Sequence, residues 1–326
     1  MHDGPPPRSI PAACLVVLGA VLLGVAYAQP TVTYRAAFAA PEVYSIYGGI
    51  EVLWQDGSHV LSAIVFLFSI VFPIAKLVVL ALLLLDKLPR RVRGRTVEWV
   101  GLMGKWSMLD VFVIAGFVGS MRLGVVASGT SRVGIHLFSA AIVVSMLAAA
   151  VVARLERGGP RPVGEHELPR GAVRTSVSFL ALGLLATAIV FPLFEVQALM
   201  GMVKNEVGLA ATTRRLFVDD EIGLGAALAL WVVGLCAARA LLSAWLRWRP
   251  RTPAGLRRAT LALDEWGMVD VFALALAIVW IKLNELASTD AGPGFAATFL
   301  AAGATQLDAW LLRRDLRPGR ATSPPA

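Results

Sequence analysis

Four ionisable side chains sit where water should be scarce. Lys76 and Arg239 each interrupt a long apolar run, and so do Asp110 and Asp270. A charge at the centre of a bilayer costs about 3 kcal/mol on insertion scales and more in simulations, so it persists when paired or when it faces a polar cavity. Lys76 precedes Asp86 by ten residues and Asp110 follows Glu98 by twelve. At the helical rise, these are about 15 and 18 Å from the same membrane face. The matched depths predict that Lys76 pairs with Asp110, and Arg239 with Asp270. Three readings follow: a lock for the helix bundle, a polar lining for a lipid headgroup, or a proton relay. Arg122 and Lys282 fall near the opposite ends of their runs. They read as anchors snorkelling to phosphates or as a gate for lipid exit.

Other chemistry is sparse. His2, His59, His136 and His166 are scattered without ligand spacing, and Cys14 and Cys236 lie far apart inside apolar runs. That spacing excludes a disulfide scaffold and a Cys-x-x-Cys metal or redox motif. The sequence has no phosphate-cradling Gly-rich loop with its Lys. The expectation is therefore no catalytic residue, no metal and no cofactor.

The elements that carry these charges are membrane helices. Of 326 residues, 57% are apolar and 16% charged, against about 45–50% and about 25% in soluble domains. A soluble chain of this composition would expose too much apolar surface. A spanning helix needs about 20 apolar residues, and eight stretches qualify: Pro11 to Ala28, His59 to Leu85, Glu98 to Leu123, His136 to Leu155, Ser176 to Val196, Ile222 to Leu246, Leu261 to Leu286 and Gly294 to Leu312. They are continuous rather than alternating, which argues against a barrel. Ala26-Tyr27-Ala28 before Gln29 has the form of a signal-peptidase site. The uncleaved reading is preferred, because the repeat described next needs this helix.

Trp106-Ser107-Met108-Leu109-Asp110-Val111-Phe112 recurs as Trp266-Gly267-Met268-Val269-Asp270-Val271-Phe272. The match runs on without a gap, with Ala115 against Ala275 and Arg122 against Lys282. Trp106, Met108 and Phe112, with Trp266, Met268 and Phe272, are thus the anchors of a repeated motif. Each Trp reads as a belt anchor or a portal residue, and each Met as core filler. The expected architecture is all-α: eight transmembrane helices in two tandem four-helix repeats, 10–155 and 174–313. A linker at 156–173 joins them, and a disordered tail, 314–326, follows. Twenty of the 30 Lys and Arg residues fall on one face and five on the other. The positive-inside rule then places both termini in the cytoplasm. The basic balance is accounted for by lipid headgroups and implies no nucleic acid. Trp245 and Trp248, beside Arg247 and Arg249, read as an interfacial anchor. Asp308 is expected near the cytoplasmic end of the last helix, opposite Arg313. Thr31 to Gly57, apolar and aromatic but too polar to span, reads as an ordered cap on the outer helix ends or as a segment dipping into lipid.

Three stretches resemble the paraquat-inducible protein A family of bacterial inner-membrane proteins. They are Ser45-Ile46-Tyr47-Gly48-Gly49-Ile50 through Asp56-Gly57, Phe72-Pro73-Ile74-Ala75-Lys76-Leu77, and the duplicated Trp-x-Met-x-Asp-Val-Phe motif. The resemblance implies a tetraspanin-like four-helix unit and a location in the bacterial inner membrane. It also implies phospholipids as cargo and a periplasmic MCE-domain (mammalian cell entry) tunnel protein as partner, to or from which lipids pass. The zinc ribbons that many members carry ahead of each half are not found in this sequence, so no zinc role is carried over. The alternative function is a non-transporting scaffold that anchors such a partner or serves envelope integrity and stress response. A thiol oxidase is disfavoured, because Cys14 and Cys236 are not loop pairs.

Overall fold

The apolar runs fold as helices because a helix satisfies its backbone groups within one continuous segment, with no need of a neighbouring strand in hydrocarbon. A computed structural model describes residues 10–36, 42–109, 111–115, 127–156, 171–198, 203–249, 253–286 and 288–315. In chain order the helices are α1 (Ile10–Ala28), α2 (Ile46–Gln55), α3 (His59–Leu84), α4 (Arg90–Trp106), α5 (Val133–Glu156), α6 (Ala172–Val190), α7 (Leu209–Val218), α8 (Ile222–Trp248), α9 (Ala254–Trp266), α10 (Val269–Leu286) and α11 (Pro293–Asp315). Among the described residues, seven helical stretches are long and apolar enough to cross a membrane, α9 and α10 counting together as one. The protein is a mostly helical, multi-pass membrane protein. The expected third span, Glu98 to Leu123, includes residues 110 and 116–123, which lie outside the described residues. So do most of the expected linker and all of the tail beyond Asp315.

The sequence did not reveal two small antiparallel sheets. One joins β1 (Val32–Ala36), β2 (Glu42–Tyr44) and β3 (Ala127–Ser131) in the order β2-β1-β3. The other joins β4 (Pro192–Ala198), β5 (Val203–Gly208) and β6 (Ser288–Ala291) in the order β5-β4-β6. In each, the strand after a membrane helix takes the centre and the strand before the last helix of that half takes an edge. The expected fifth span is corrected by this arrangement. Its helix begins at Ala172 and ends at Val190, and Pro192–Ala198 leaves it as a strand. Pro192 lacks the N–H a helix needs, and Phe194 to Gln197 pair with both neighbouring strands. Within the stretch from Thr31 to Gly57 the described residues hold β1, β2 and α2, with Ser45 Oγ accepting from Gly48 N at the α2 start; residues 37–41 lie outside the described residues.

Close backbone approach fixes where the last helix of each half meets its sheet. Gly134 N donates to Pro30 O at 3.0 Å. A Cβ at Gly134 would lie 2.5 Å from that oxygen, and one at Gly294 would lie 2.5 Å from Phe191 O. Only glycine fits either place. At the other end, α3 stops on Asp86, whose φ of 57° is left-handed. Lys87 N then reaches back to Leu82 O at 3.1 Å, a Schellman-type ending that satisfies a carbonyl which would otherwise lack a partner.

One apolar core runs through both halves, from Leu80, Phe138 and Met146 to Leu216, Leu228 and Leu276. At its middle the two motif phenylalanines meet: Phe112 and Phe272 pack edge to face with centroids 6.0 Å apart. Polar links also cross between halves. Lys105 Nζ donates to Asp264 O at 2.8 Å, Lys282 Nζ to Ser58 Oγ at 3.0 Å, and Ser131 N to Glu221 Oε1 at 2.9 Å.

Candidate functional site

Both basic residues are aimed by the same local irregularity. In α3 the chain loosens into a π turn at Leu67–Val71, and in α8 at Leu228–Gly234. Lys76 stands five residues beyond the first turn and Arg239 five beyond the second. A π turn holds more residues than a regular one and so rotates everything after it; such turns concentrate at functional sites. It also frees carbonyls. Tyr27 Oη donates to Ser69 O at 2.6 Å in one half, and Cys236 Sγ to Trp231 O at 3.2 Å in the other.

The tryptophan motif marks a break. In the second half α9 ends at Trp266, Gly267 is extended at ψ 130°, and α10 starts at Val269. The expected continuous helix from Leu261 to Leu286 is therefore two helices with a joint, since Gly267 resists continuation. Asp270 lies in the first turn of α10, where the N-terminal end of the helix dipole favours a carboxylate. Its Oδ2 accepts from Gln306 Nε2 at 2.7 Å. In the first half α4 ends at Trp106, a turn follows at Ser107-Met108, and helix resumes at Leu109. Asp110 and Arg122 lie outside the described residues.

Met108, Met268, Phe112 and Phe272 are buried. Trp106 packs on Phe68 with centroids 5.7 Å apart, while Trp266 lines a cavity. Trp99, Trp245 and Trp248 are exposed, with Arg249 stacked 4.9 Å over the Trp245 ring. Arg247, placed by sequence among the headgroup cations, is buried and its Nη1 binds Asp315 at 2.7 Å. Lys282, expected to snorkel, is half-buried and reaches Ser58 of the other half.

The partners of Arg239 differ from expectation. Its Nη2 lies 3.0 Å from Asp308 Oδ2, and its Nε lies 3.4 Å from Asp264 Oδ1. Asp270 is not among them. These contacts have ion-pair distance but not hydrogen-bond alignment, since no guanidinium nitrogen of Arg239 has a hydrogen-bond partner. Asp308 is 1% exposed and also accepts from Ser178 Oγ at 2.5 Å and Ser243 Oγ at 2.6 Å. Arg313, expected opposite Asp308, binds Asp264 instead. The α11 register decides this: it carries Asp308 inward between α6 and α8, and leaves Arg313 at the exposed rim. Sequence reading passed over Asp264, Ser178 and Ser243. Asp264 could have been noticed as an acid in the motif's approach, but no local signal marks either serine.

Lys76 is handled differently. It is fully buried, and its Nζ donates to Ser145 Oγ at 3.0 Å. Among the described residues no carboxylate stands within ion-pair distance of it. The ammonium lies against Gly104, where an added Cβ would come within 3.0 Å of Nζ. Both residues line a cavity of about 440 Å³ between the halves. Its other walls include Lys105 and Glu98 from α4, Glu265 and Trp266 from α9, Asp270, and Gln306 and Arg313 from α11. Arg239 and Asp270 share a separate pocket of about 20 Å³, room for about one water. The structure thus brings Lys76 and Asp270 to one cavity and withdraws Arg239 into an ionic cluster of its own.

A family model described as paraquat-inducible protein A matches residues 11–155 and, separately, 174–316. The chain is similar to the intermembrane transport protein PqiA of Escherichia coli K12, at 31% identity over 128 residues, 38% of this chain and 31% of that protein. The same figures hold for the protein of that name from Shigella flexneri. A probable intermembrane transport protein of Haemophilus influenzae is 30% identical over 108 residues, 32% of this chain and 26% of that protein. The matched stretches therefore cover under a third of these relatives' length. No solved structure matches.

Proposed function

Because the chain belongs to the paraquat-inducible protein A family, we propose that it is an inner-membrane subunit of an envelope lipid-transport system. In this reading it loads phospholipids into, or accepts them from, a periplasmic MCE-type tunnel protein. The observation that carries the proposal is the cavity of about 440 Å³ between the halves. It has a buried ammonium at its wall and apolar helix faces around it, the pairing of surfaces that an amphiphile requires. Relatives named for intermembrane transport agree with this use.

The same reading takes the molecule as two tandem four-helix units, with eight spans and both termini cytoplasmic. Support comes from the family model matching twice in succession, from two sheets of one strand order, and from π turns placed alike before Lys76 and Arg239. The sheets then face the periplasm, where a tunnel protein would dock, and α4 and α9 lie at the cytoplasmic surface.

Reconstitution tests this. Proteoliposomes holding the full chain and a labelled phospholipid should pass label to a soluble MCE-domain acceptor faster than protein-free vesicles do. Equal rates with the acceptor stably bound would favour the scaffold reading. Equal rates with no binding would overturn both.

A further inference from the structure

We infer that the two buried cations have divided their work, and that Lys76 alone is a ligand-binding cation, for the phosphate of a bound molecule. The inference rests on the lipid-handling reading and names the chemistry its cavity recognises. Arg239 and Lys76 occupy matching places five residues after a π turn. Around Arg239 the protein supplies its own anions, Asp308 at 3.0 Å and Asp264 at 3.4 Å. The adjoining pocket, about 20 Å³, is too small for a headgroup. Around Lys76 the described residues supply only a neutral oxygen, Ser145 Oγ. The site opens instead into about 440 Å³.

A buried cation with no counter-charge among the described residues is costly unless an anion arrives. The position corresponding to Asp308 in α5 is Ala148 when Gly134 is set against Gly294, so the carboxylate that neutralises Arg239 has no counterpart there. Gly104 keeps the approach clear, because any side chain at that place would crowd Nζ. Lys105 and Arg313 are less suited to hold a ligand, since Lys105 Nζ is engaged by Asp264 O, and Arg313 by the Asp264 carboxylate. A single compact ammonium suits a phosphate as a point charge. Both a phospholipid headgroup and free inorganic phosphate present that group.

The test uses the full chain purified in detergent and examined by native mass spectrometry. Phosphatidylethanolamine, phosphatidylglycerol, diacylglycerol and inorganic phosphate serve as separate probes. Wild type should retain the phospholipids. Lys76→Met should retain them about tenfold less or worse, the factor expected for one hydrogen bond to a charged group, with diacylglycerol retention and melting temperature unchanged. Gly104→Ala should weaken phospholipid retention in the same direction. Binding of inorganic phosphate that depends on Lys76, without phospholipid retention, would keep the phosphate site and remove its lipid source. Equal phospholipid retention by wild type and Lys76→Met would overturn the inference while leaving lipid handling intact. No retention of any lipid by wild type would remove the lipid-handling reading itself. A Lys76→Met protein that unfolds and is rescued by Asp110→Asn would also overturn the inference, since Lys76 would then be half of a closed ion pair.

Discussion

Replacing Asp308 with Ala is the sharpest probe of how the second half is held together. The carboxylate is buried and holds three groups from two other helices: Arg239 and Ser243 of α8, and Ser178 of α6. Removing one partner of a buried ion pair costs about 3–5 kcal/mol, because the other charge is left uncompensated. Asp264 stays 3.4 Å from Arg239, which pulls the charge contribution toward about 3 kcal/mol. Two hydroxyls also lose their acceptor, although Ser178 Oγ has a second one in Arg174 O at 3.3 Å. That adds about 1 kcal/mol, for a total of about 4 kcal/mol. Replacing both charges together, Asp308→Leu with Arg239→Met, should recover most of the loss, since a well-packed apolar pair is often as stable as a buried ionic one. Reversible unfolding in mixed micelles, followed by tryptophan fluorescence, measures all three proteins. A cost below about 1 kcal/mol for Asp308→Ala, or a double variant as unstable as the sum of its singles, would refute the account.

Other outcomes follow from close contacts. Gly134→Ala and Gly294→Ala should each destabilise by about 1–3 kcal/mol through overpacking against backbone, while Gly303→Ala, with nothing within 4 Å of an added Cβ, should stabilise α11 by about 0.5–1 kcal/mol; thermal melting compares the three. Glu221→Gln keeps an acceptor for Ser131 N and removes the charge, so it should cost about 1–2 kcal/mol in the same unfolding assay. Lys282→Met, which gives up a half-buried bond to Ser58, should change stability by no more than about 1.5 kcal/mol. A larger loss would mean that the contact between halves depends on it.

The membrane character and most of the apolar runs were legible because each position's hydropathy reports its own partition between water and lipid, although the fifth run ended early as a strand and the seventh broke at Gly267. So were the burial of Lys76 and Arg239 and the special status of Trp266-Gly267-Met268-Val269-Asp270. The family was legible in the same motif, and the double match confirms it. Partnership was not. Arg239 and Asp270 were expected to pair, yet Asp308 and Asp264 take the guanidinium, because contact depends on the rotation and register of several helices at once. The π turns set that rotation for α3 and α8, and no residue within them announces it. The small sheets were hidden for a related reason: Val32–Ala36 finds one of its partners nearly a hundred residues away at Ala127–Ser131, a pairing made by the helices that bring the strand ends together. Amino-acid order decided which segments enter the membrane and which charges go with them. Packing alone decided which charge meets another, and which is left facing an open cavity.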